Sequence, residues 1–170
     1  MSDLNEPQYP DETGQAAQRP SQWAAGGPSG PRATFGQRAV AALIDGVIIF
    51  VIFGVLWLTL RTAGYVISIF LGLAYTTYFE AGPAGQTPGK RVMGIRVIRY
   101  DTGGPLGWST SLLRSVIRQF VSSLLCGLGY FWMLWDKEKQ TWHDKLSSTV
   151  VVPVSAYPPP PNSFGQPPQP

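Results

Sequence analysis

A long apolar segment with a single carboxylate inside it constrains this chain more than any other feature. Residues 39–60 read AVAALIDGVIIFVIFGVLWLTL, in which Asp45 is the charged residue, and Arg38 and Arg61 stand at the two ends. As a helix rising about 1.5 Å per residue, the segment is roughly 33 Å long, enough to cross the hydrocarbon core of a bilayer. A charged side chain there costs about 2.5–3.5 kcal/mol on insertion scales, so Asp45 indicates a structural or functional site within a membrane.

The polar residues of the chain are concentrated at its two ends. Residues 1–34 contain four acidic residues, two arginines and five prolines, and residues 153–170 contain eight prolines and no charge. Neither end has enough apolar surface to offset the entropy cost of ordering it, so we predict disordered Pro- and Gly-rich tails at 1–34 and 153–170. Residues 35–152 form the predicted transmembrane domain. Its aromatic residues lie mainly within and beside apolar runs, so its basic excess indicates membrane topology rather than nucleic-acid binding.

Two further apolar regions make the predicted fold an α-helical integral membrane protein with about three hydrophobic helical regions. Residues 62–79 follow the first segment so closely that the two should form a hairpin. Small residues recur every four positions in this second helix, at Gly64, Ser68, Gly72 and Thr76. Such a stripe lets another helix approach closely, either within the hairpin or in a second copy of the chain. The third region, 112–135, is either one span or a bent pair of short helices that returns to its starting side.

Lysine and arginine residues predict the orientation in the membrane. Residues 81–111, between the second and third regions, are rich in them, whereas the turn between the first two helices carries only Arg61. The basic residues of this loop are Lys90, Arg91, Arg96 and Arg99. Because basic loops stay in the cytoplasm, we expect loop 81–111 and the N-terminus on the cytoplasmic side of a multi-pass protein of the plasma membrane.

Two short stretches predict β-structure within this helical protein. Residues 92–100 alternate β-branched and basic side chains, and residues 149–154 are mostly valine. The sequence Asp-Thr-Gly-Gly after the first stretch is a turn signal. An unpaired apolar strand favours aggregation, so we expect the two stretches to pair as a short β-rich segment in the cytoplasm. The C-terminal segment would then be cytoplasmic too, which requires that the third apolar region does not simply cross the membrane.

No pattern in the chain is typical of catalysis. The sequence QTPGK at residues 86–90 lacks the spacing of a Walker phosphate loop, and we interpret it as a turn that delivers basic residues to the anionic inner leaflet. The chain contains one histidine and one cysteine, and neither a serine nucleophile motif nor a glycine-rich phosphate loop. A metal site needs three or four converging ligands. We therefore expect no enzyme activity, no metal site and no cofactor.

Three separate motifs of the domain occur in a recognisable order. Residues 37–39 (QRA) lead into the helix that carries Asp45, residues 86–97 read QTPGKRVMGIRV, and residues 143–152 read HDKLSSTVVV. Together they resemble the RDD family of small bacterial integral membrane proteins. The tails are similar to those of actinobacterial members. The resemblance implies the helical membrane fold, with transport of unidentified ligands or monovalent cation/proton exchange as the activity.

The arginine and two aspartates of the family name map onto Arg38, Asp45 and Asp144. Arg38 precedes Asp45 by seven residues, so the two share a helix face about 10 Å apart, although Arg38 also suits a lipid headgroup. Burial would raise the pKa of the Asp45 carboxyl and a nearby guanidinium would lower it. Asp45 is therefore either a transport or proton-relay residue, or half of a structural ion pair with Arg38, Arg114 or Arg118.

Asp144 follows the lone histidine, His143, just before a predicted strand. We expect it to cap a turn or to pair with a basic residue of the 90–99 loop, where Lys90 and Arg91 are the first two candidates. Such a pair would fix the strand segment to the helices.

Two hypotheses for function follow. In the first, the protein transports a small ion or solute with Asp45 central, as a homo-oligomer because three helices barely enclose a path. In the second, it is a membrane scaffold or accessory subunit that recruits other membrane proteins or further partners through its Pro-rich tails. The lipid bilayer is the partner common to both.

Overall fold

The computed structural model describes residues 30–122, 128–165 and 167, together with four two-residue strands nearer the N-terminus. Tyr9–Pro10 (β1) pairs with Ala16–Ala17 (β2), and Trp23–Ala24 (β3) pairs with Gly27–Pro28 (β4), both antiparallel. The predicted disorder of the remaining residues before 30 and of the last residues after 167 lies outside the described part of the chain.

The first two apolar segments form α1, Phe35–Ala81, whose backbone leaves helical values at Arg61 (φ 54°, ψ −125°). We call residues 35–60 arm A and residues 62–81 arm B. The helix is long and apolar enough to cross a membrane, with a mean hydropathy of 2.7 in its most apolar stretch, of which 11% is buried. A helix that exposes its apolar side chains in this way fits a lipid environment better than a protein core.

The two arms pack against each other as an antiparallel hairpin. The Phe53 and Tyr65 rings meet edge to face at 6.1 Å near the turn, and the Tyr75 hydroxyl donates to Asp45 Oδ1 at 2.9 Å further along. The first contact joins positions eight and four residues from Arg61, and the second joins positions sixteen and fourteen residues from it, so the arms run in opposite directions. The reversal at Arg61 therefore forms the hairpin predicted from the sequence.

Small residues serve two purposes along the hairpin. A Cβ on Gly64 would lie 2.2 Å from the Leu56 carbonyl oxygen, so only glycine permits this close approach of the arms near the turn. A Cβ on Gly46, in contrast, would meet no atom within 4 Å. Small residues therefore allow close packing near Arg61 and leave open space at Gly46, while the role of the stripe in dimerisation stays a prediction.

A two-stranded sheet lies beyond the ends of the hairpin. After the short helix α2, Pro88–Val92, the strand β5, Ile95–Arg99, pairs antiparallel with β6, Thr149–Pro153. The two strands lie within the stretches that the sequence marks as β-rich, and they are buried on both faces because one face packs on arm A and the other on the C-terminal segment. Its location in the cytoplasm stays a prediction.

The third apolar region is not one straight helix in its described residues. It consists of α3, Gly107–Ile117, a π-helix at Arg118–Ser122, then α4, Leu128–Phe131, and a 3₁₀ turn at Trp132–Leu134. Its start and its end both reach the next helix, α5, Trp142–Leu146. A single crossing would separate these ends, so the bent arrangement is the one that the structure adopts.

Residues just outside the predicted domain limits of 35 and 152 also pack against the domain. The Ala33 N–H donates to the Val151 carbonyl at 3.0 Å, and the Gly30 N–H donates to the Tyr157 hydroxyl at 2.9 Å. Tyr157 is buried, and the Phe164 ring stacks on the Phe79 ring of arm B, with centroids 5.8 Å apart. Composition failed to predict these contacts because two aromatic residues in a Pro-rich segment supply enough apolar surface for local docking.

Candidate functional site

Buried charges gather where the free ends of the two arms meet α2, α3 and α5. We call this group the charge cluster. Its members are Arg38, Glu80, Lys90, Arg114, Arg118 and Asp144. Ion pairs withdrawn from water are costly unless their hydrogen bonds are well satisfied, so a buried cluster of this kind is a candidate site rather than evidence of stability.

Asp144 joins arm A, α3 and α5. Its Oδ2 accepts from Arg38 Nη1 at 2.5 Å and from the Thr141 N–H at 3.1 Å, the second bond being part of the capping box of α5. Its Oδ1 accepts from Arg114 Nη2 at 2.6 Å. Burial alone would raise the pKa of Asp144, but the guanidinium groups of Arg114 and Arg38 hold it well below its usual range.

The sequence left two alternatives for Asp144, a cap on a turn or a pair with a basic residue of the 90–99 loop. The structure has the cap, through Thr141. The loop pair is not formed, because the cationic partners of Asp144 come from arm A and α3.

Glu80 is the second carboxylate of the charge cluster and was not predicted as a site residue. It is fully buried, and Arg114 Nη1 and Lys90 Nζ donate to its two oxygens. Arg118 Nη1 lies 3.2 Å from the oxygen that Lys90 binds. A carboxylate that closes an apolar run is the sequence signal that would have identified Glu80, since it lies at the level where the helix leaves the hydrocarbon.

Lys90 and Arg91 are neighbours in sequence with different surroundings. Burial lowers the pKa of Lys90 to about 8, against the attraction of Glu80. Arg91 is exposed, and its guanidinium lies 4.1 Å from the centre of the Phe164 ring. The prediction that this turn presents its basic residues to the inner leaflet was therefore wrong for Lys90, which points into the charge cluster.

Asp45 is bound by three neutral donors. Tyr75 and Gly89 donate to Oδ1, from the hydroxyl at 2.9 Å and the backbone N–H at 2.8 Å, and the Thr87 hydroxyl donates to Oδ2 at 2.5 Å. Among the residues that the structure describes, no cation forms a salt bridge with it. The predicted ion pair of Asp45 with Arg38, Arg114 or Arg118 was therefore wrong: Glu80 and Asp144 bind these arginines instead.

The QTPGK sequence is shaped to meet Asp45. Thr87 caps α2 and Pro88 occupies its first turn, so the Gly89 N–H is free to donate to a carboxylate outside the helix. A Cβ on Gly89 would lie 2.2 Å from the Ala41 carbonyl oxygen, so any other residue would push α2 away from arm A. Asp45 thus binds the loop to the hairpin.

His143 has a packing role. It is buried against the Tyr130 ring, with centroids 5.2 Å apart, and its Nε2 lies 2.9 Å from the Thr141 hydroxyl. Burial lowers the pKa of His143 well below its usual value, so the imidazole is neutral at pH 7. A neutral ring held by one hydroxyl and one aromatic face stabilises the α5 region.

A cavity of about 690 Å³ runs along the hairpin from the charge cluster. We call it the hairpin cavity. Asp45, Ser68 and Thr76 lie on its wall, and apolar side chains such as Phe53 line its far part. The space that Gly46 leaves open belongs to it. The structure thus brings Arg38 and Asp144 into contact, and the hairpin cavity connects their surroundings with Asp45.

Comparison with known proteins gives a family. The family model described as RDD matches residues 32–148. A proline-rich antigen homolog of Mycobacterium tuberculosis is 35% identical over 86 residues, which is 49% of this chain and 35% of that protein. The proline-rich antigen of Mycobacterium leprae is 35% identical over 82 residues, 48% of this chain and 32% of that protein.

A further relative is a shorter protein of another bacterium. The uncharacterized membrane protein YteJ of Bacillus subtilis is 30% identical over 96 residues, 54% of this chain and 54% of that protein. This chain therefore spans about a third of the length of the mycobacterial relatives and about half of YteJ. No solved structure matches the chain. The match over most of the domain, together with the apolar hairpin, shows that the chain is a membrane protein of the RDD family.

Proposed function

We propose that this protein moves a small ion or solute across the plasma membrane through the hairpin cavity. The observation that carries the proposal is a carboxylate, Asp45, on the wall of a cavity that runs along a hairpin long and apolar enough to cross a membrane. Ionisable groups at such depth line substrate or proton paths far more often than they face lipid.

The proposed orientation places the charge cluster and both ends of the hairpin in the cytoplasm. Most basic residues of the domain lie at this end, whereas the turn of the hairpin carries Arg61. The protein is then multi-pass, with its N-terminus in the cytoplasm. The bent third region starts and ends on that same side.

Protonation of Asp45 would change the attachment of α2. The carboxylate accepts from Tyr75, Thr87 and Gly89. A protonated carboxyl has one O–H of its own to donate, and its three neighbours are all placed as donors, so at least one of these bonds would be lost or reversed. Binding of a proton would thereby loosen the cytoplasmic loop from the hairpin, which couples the proton to access to the cavity.

Monovalent cation/proton exchange is the specific activity that family resemblance implies, and Asp45 would bind cation and proton in turn. A homo-oligomer would complete the wall of the cavity, since Phe50 at its edge is 71% exposed in the single chain.

The experiment measures proton flux in proteoliposomes, triggered in turn by sodium, lithium and potassium. The wild-type protein is compared at equal density with Asp45→Asn, which keeps the size of the side chain but removes its charge. Asp101→Asn is the matched control, because this half-exposed carboxylate binds Arg99 away from the cavity. We expect Asp45→Asn to reduce the flux to the level of empty liposomes and Asp101→Asn to retain it.

A membrane scaffold is the second candidate. The observation that favours it is the Pro158–Pro161 run, which is held between buried Tyr157 and stacked Phe164 and so is presented as a bracketed segment. Such a run suits domains that bind polyproline II helices. Absence of flux with every cation, together with loss of function in cells when residues 158–161 are replaced by alanine, would favour the scaffold over cation transport.

A further inference from the structure

We propose that an anionic phospholipid occupies the hairpin cavity, with its phosphate at the charge cluster and one acyl chain along the apolar wall. The inference rests on the membrane orientation proposed above and not on transport. It can therefore hold where the flux experiment fails, or fail where the flux experiment succeeds.

The charge cluster carries more positive than negative charge. The charge cluster contains four cations and two carboxylates, and Asp45 further along the cavity leaves one positive charge in excess even when it is counted. The other carboxylates of the described domain are bound to other cations, in the pairs Asp101–Arg99, Asp136–Lys145 and Glu138–Arg32. Buried positive charge in excess is costly, so the cluster favours binding of an anion from outside the domain.

Arg38 offers a ligand in the cavity a hydrogen-bond donor. Arg38 lines the cavity, and its Nη1 and Nη2 donate to Asp144 and to the Lys139 carbonyl. Its buried Nε–H has no acceptor within the part of the chain that the structure describes. A buried N–H without an acceptor costs about 1–3 kcal/mol, and a phosphate oxygen is a strong acceptor for a guanidinium.

The charge cluster and the cavity lie at the depths in the membrane that a phospholipid needs. Arg38 and Glu80 mark the points where the two arms leave the apolar runs, so the charge cluster lies at the level of lipid headgroups. From Arg38 the cavity follows arm A to Phe53, roughly 22 Å along the helix axis. One leaflet of hydrocarbon is about 15 Å deep, so this length accommodates an acyl chain.

The shape of the wall favours a lipid over a free phosphate ion. Ile49, Phe53 and Ile69 line the part beyond Asp45, where an inorganic ion would gain nothing. Exposed Phe50 borders the cavity, so an acyl chain would enter sideways from the bilayer without passing through water. One amphiphile would therefore satisfy both the charged end and the apolar part.

Two glycines of arm A provide the matched variants. Gly46 lines the cavity and Gly54 does not, and a Cβ on either would meet no atom within 4 Å. The first carbon of a new side chain therefore meets no obstacle at either position, so Gly46→Leu adds a side chain within the cavity and Gly54→Leu adds the same side chain elsewhere. Leucine favours the helix over glycine in both. Ala42→Leu, at a second lining position, replaces Gly46→Leu if that protein does not fold.

The experiment measures lipid binding to the detergent-purified full chain by native mass spectrometry. The probes are phosphatidylglycerol, phosphatidylcholine and inorganic phosphate. We expect wild type and Gly54→Leu to retain phosphatidylglycerol in preference to phosphatidylcholine. We expect Gly46→Leu to bind phosphatidylglycerol about tenfold more weakly, the equivalent of about two buried methylene groups.

The headgroup is tested through Arg118, whose side chain, 21% exposed, is the least buried of the cluster. Arg118→Gln should reduce the preference for phosphatidylglycerol while retaining acyl-chain binding. Equal binding of the two lipids by wild type, or unchanged binding by Gly46→Leu, would overturn the proposal. Displacement of phosphatidylglycerol by millimolar inorganic phosphate would show a site for the ion alone and would overturn it as well.

Discussion

At the scale of single residues, Arg114 holds the charge cluster together. Its Nη1 donates to Glu80, and its Nη2 and Nε donate to Asp144 at 2.6 and 3.1 Å. The planar guanidinium suits two carboxylates approaching from different elements, which a lysine would not satisfy. One fully buried side chain thereby joins arm B to α5, and removal of either carboxylate would leave part of its guanidinium without an acceptor and add to the positive charge of the cluster.

Glu80→Gln tests this at the residue scale. We expect it to destabilise the protein by about 3–5 kcal/mol, because Arg114 and Lys90 lose a buried carboxylate. The control is Glu138→Gln, whose side chain is 41% exposed in its pair with Arg32, and which should cost about 0–1 kcal/mol. Thermal unfolding in detergent measures both, and equal losses would contradict a special role for the buried cluster.

At the scale of elements, α2 shows how a five-residue helix is positioned. A single isolated turn is unstable in water, so its contacts with the hairpin must hold it. Asp45 binds Thr87 and the Gly89 N–H, and Lys90 binds Glu80. Both arms therefore contribute to its position. The loop follows any change at Asp45 because its own residues supply two of the three donors.

Gly89→Ala tests this attachment. The added methyl would clash with the Ala41 carbonyl, and we expect a loss of about 1–3 kcal/mol with faster hydrogen exchange in residues 86–92. Gly36→Ala is the control, because a Cβ there meets no atom within 4 Å. Its stability should be unchanged or up to about 1 kcal/mol higher, from helix propensity. Unchanged hydrogen exchange in Gly89→Ala would contradict this attachment of α2 to arm A.

At the scale of the whole molecule, the two ends of the domain meet. Ala33 bonds to Val151, and Gly30 bonds to Tyr157. The sheet joins residues on either side of the third apolar region, which the bent path of that region permits. Contacts at about 3 Å cannot span a bilayer, so they support the proposed topology, in which the two flanking segments lie on the same side of the membrane.

Epitope tags at the two chain ends test this topology. In right-side-out spheroplasts, we expect both tags to resist external protease and both to be cleaved after the membrane is opened. A cysteine introduced next to Arg61, at the hairpin turn, should in contrast react with an impermeant thiol reagent from outside. External cleavage of the C-terminal tag alone would contradict the contacts between the domain ends and would restore a single crossing of the third region.

The residue pattern was enough to predict the membrane class, the hairpin and the candidate carboxylate. Each depends on local information: the length of residues 39–60, the short distance to the second run, and the cost of placing Asp45 in hydrocarbon. It also marked the two β-rich stretches, because their composition is unusual in a helical protein. The family motifs identified Arg38 and Asp144, although not that they touch.

Which charges pair became clear from the packing of the elements against one another. Asp45 and Arg38 share a helix face, yet Asp45 binds α2 and Arg38 binds Asp144, more than a hundred residues away. Glu80 likewise became a site residue only when α2 and α3 packed on arm B. Ion pairing depends on distances of a few ångströms between elements, and sequence spacing determines such distances only within a single helix.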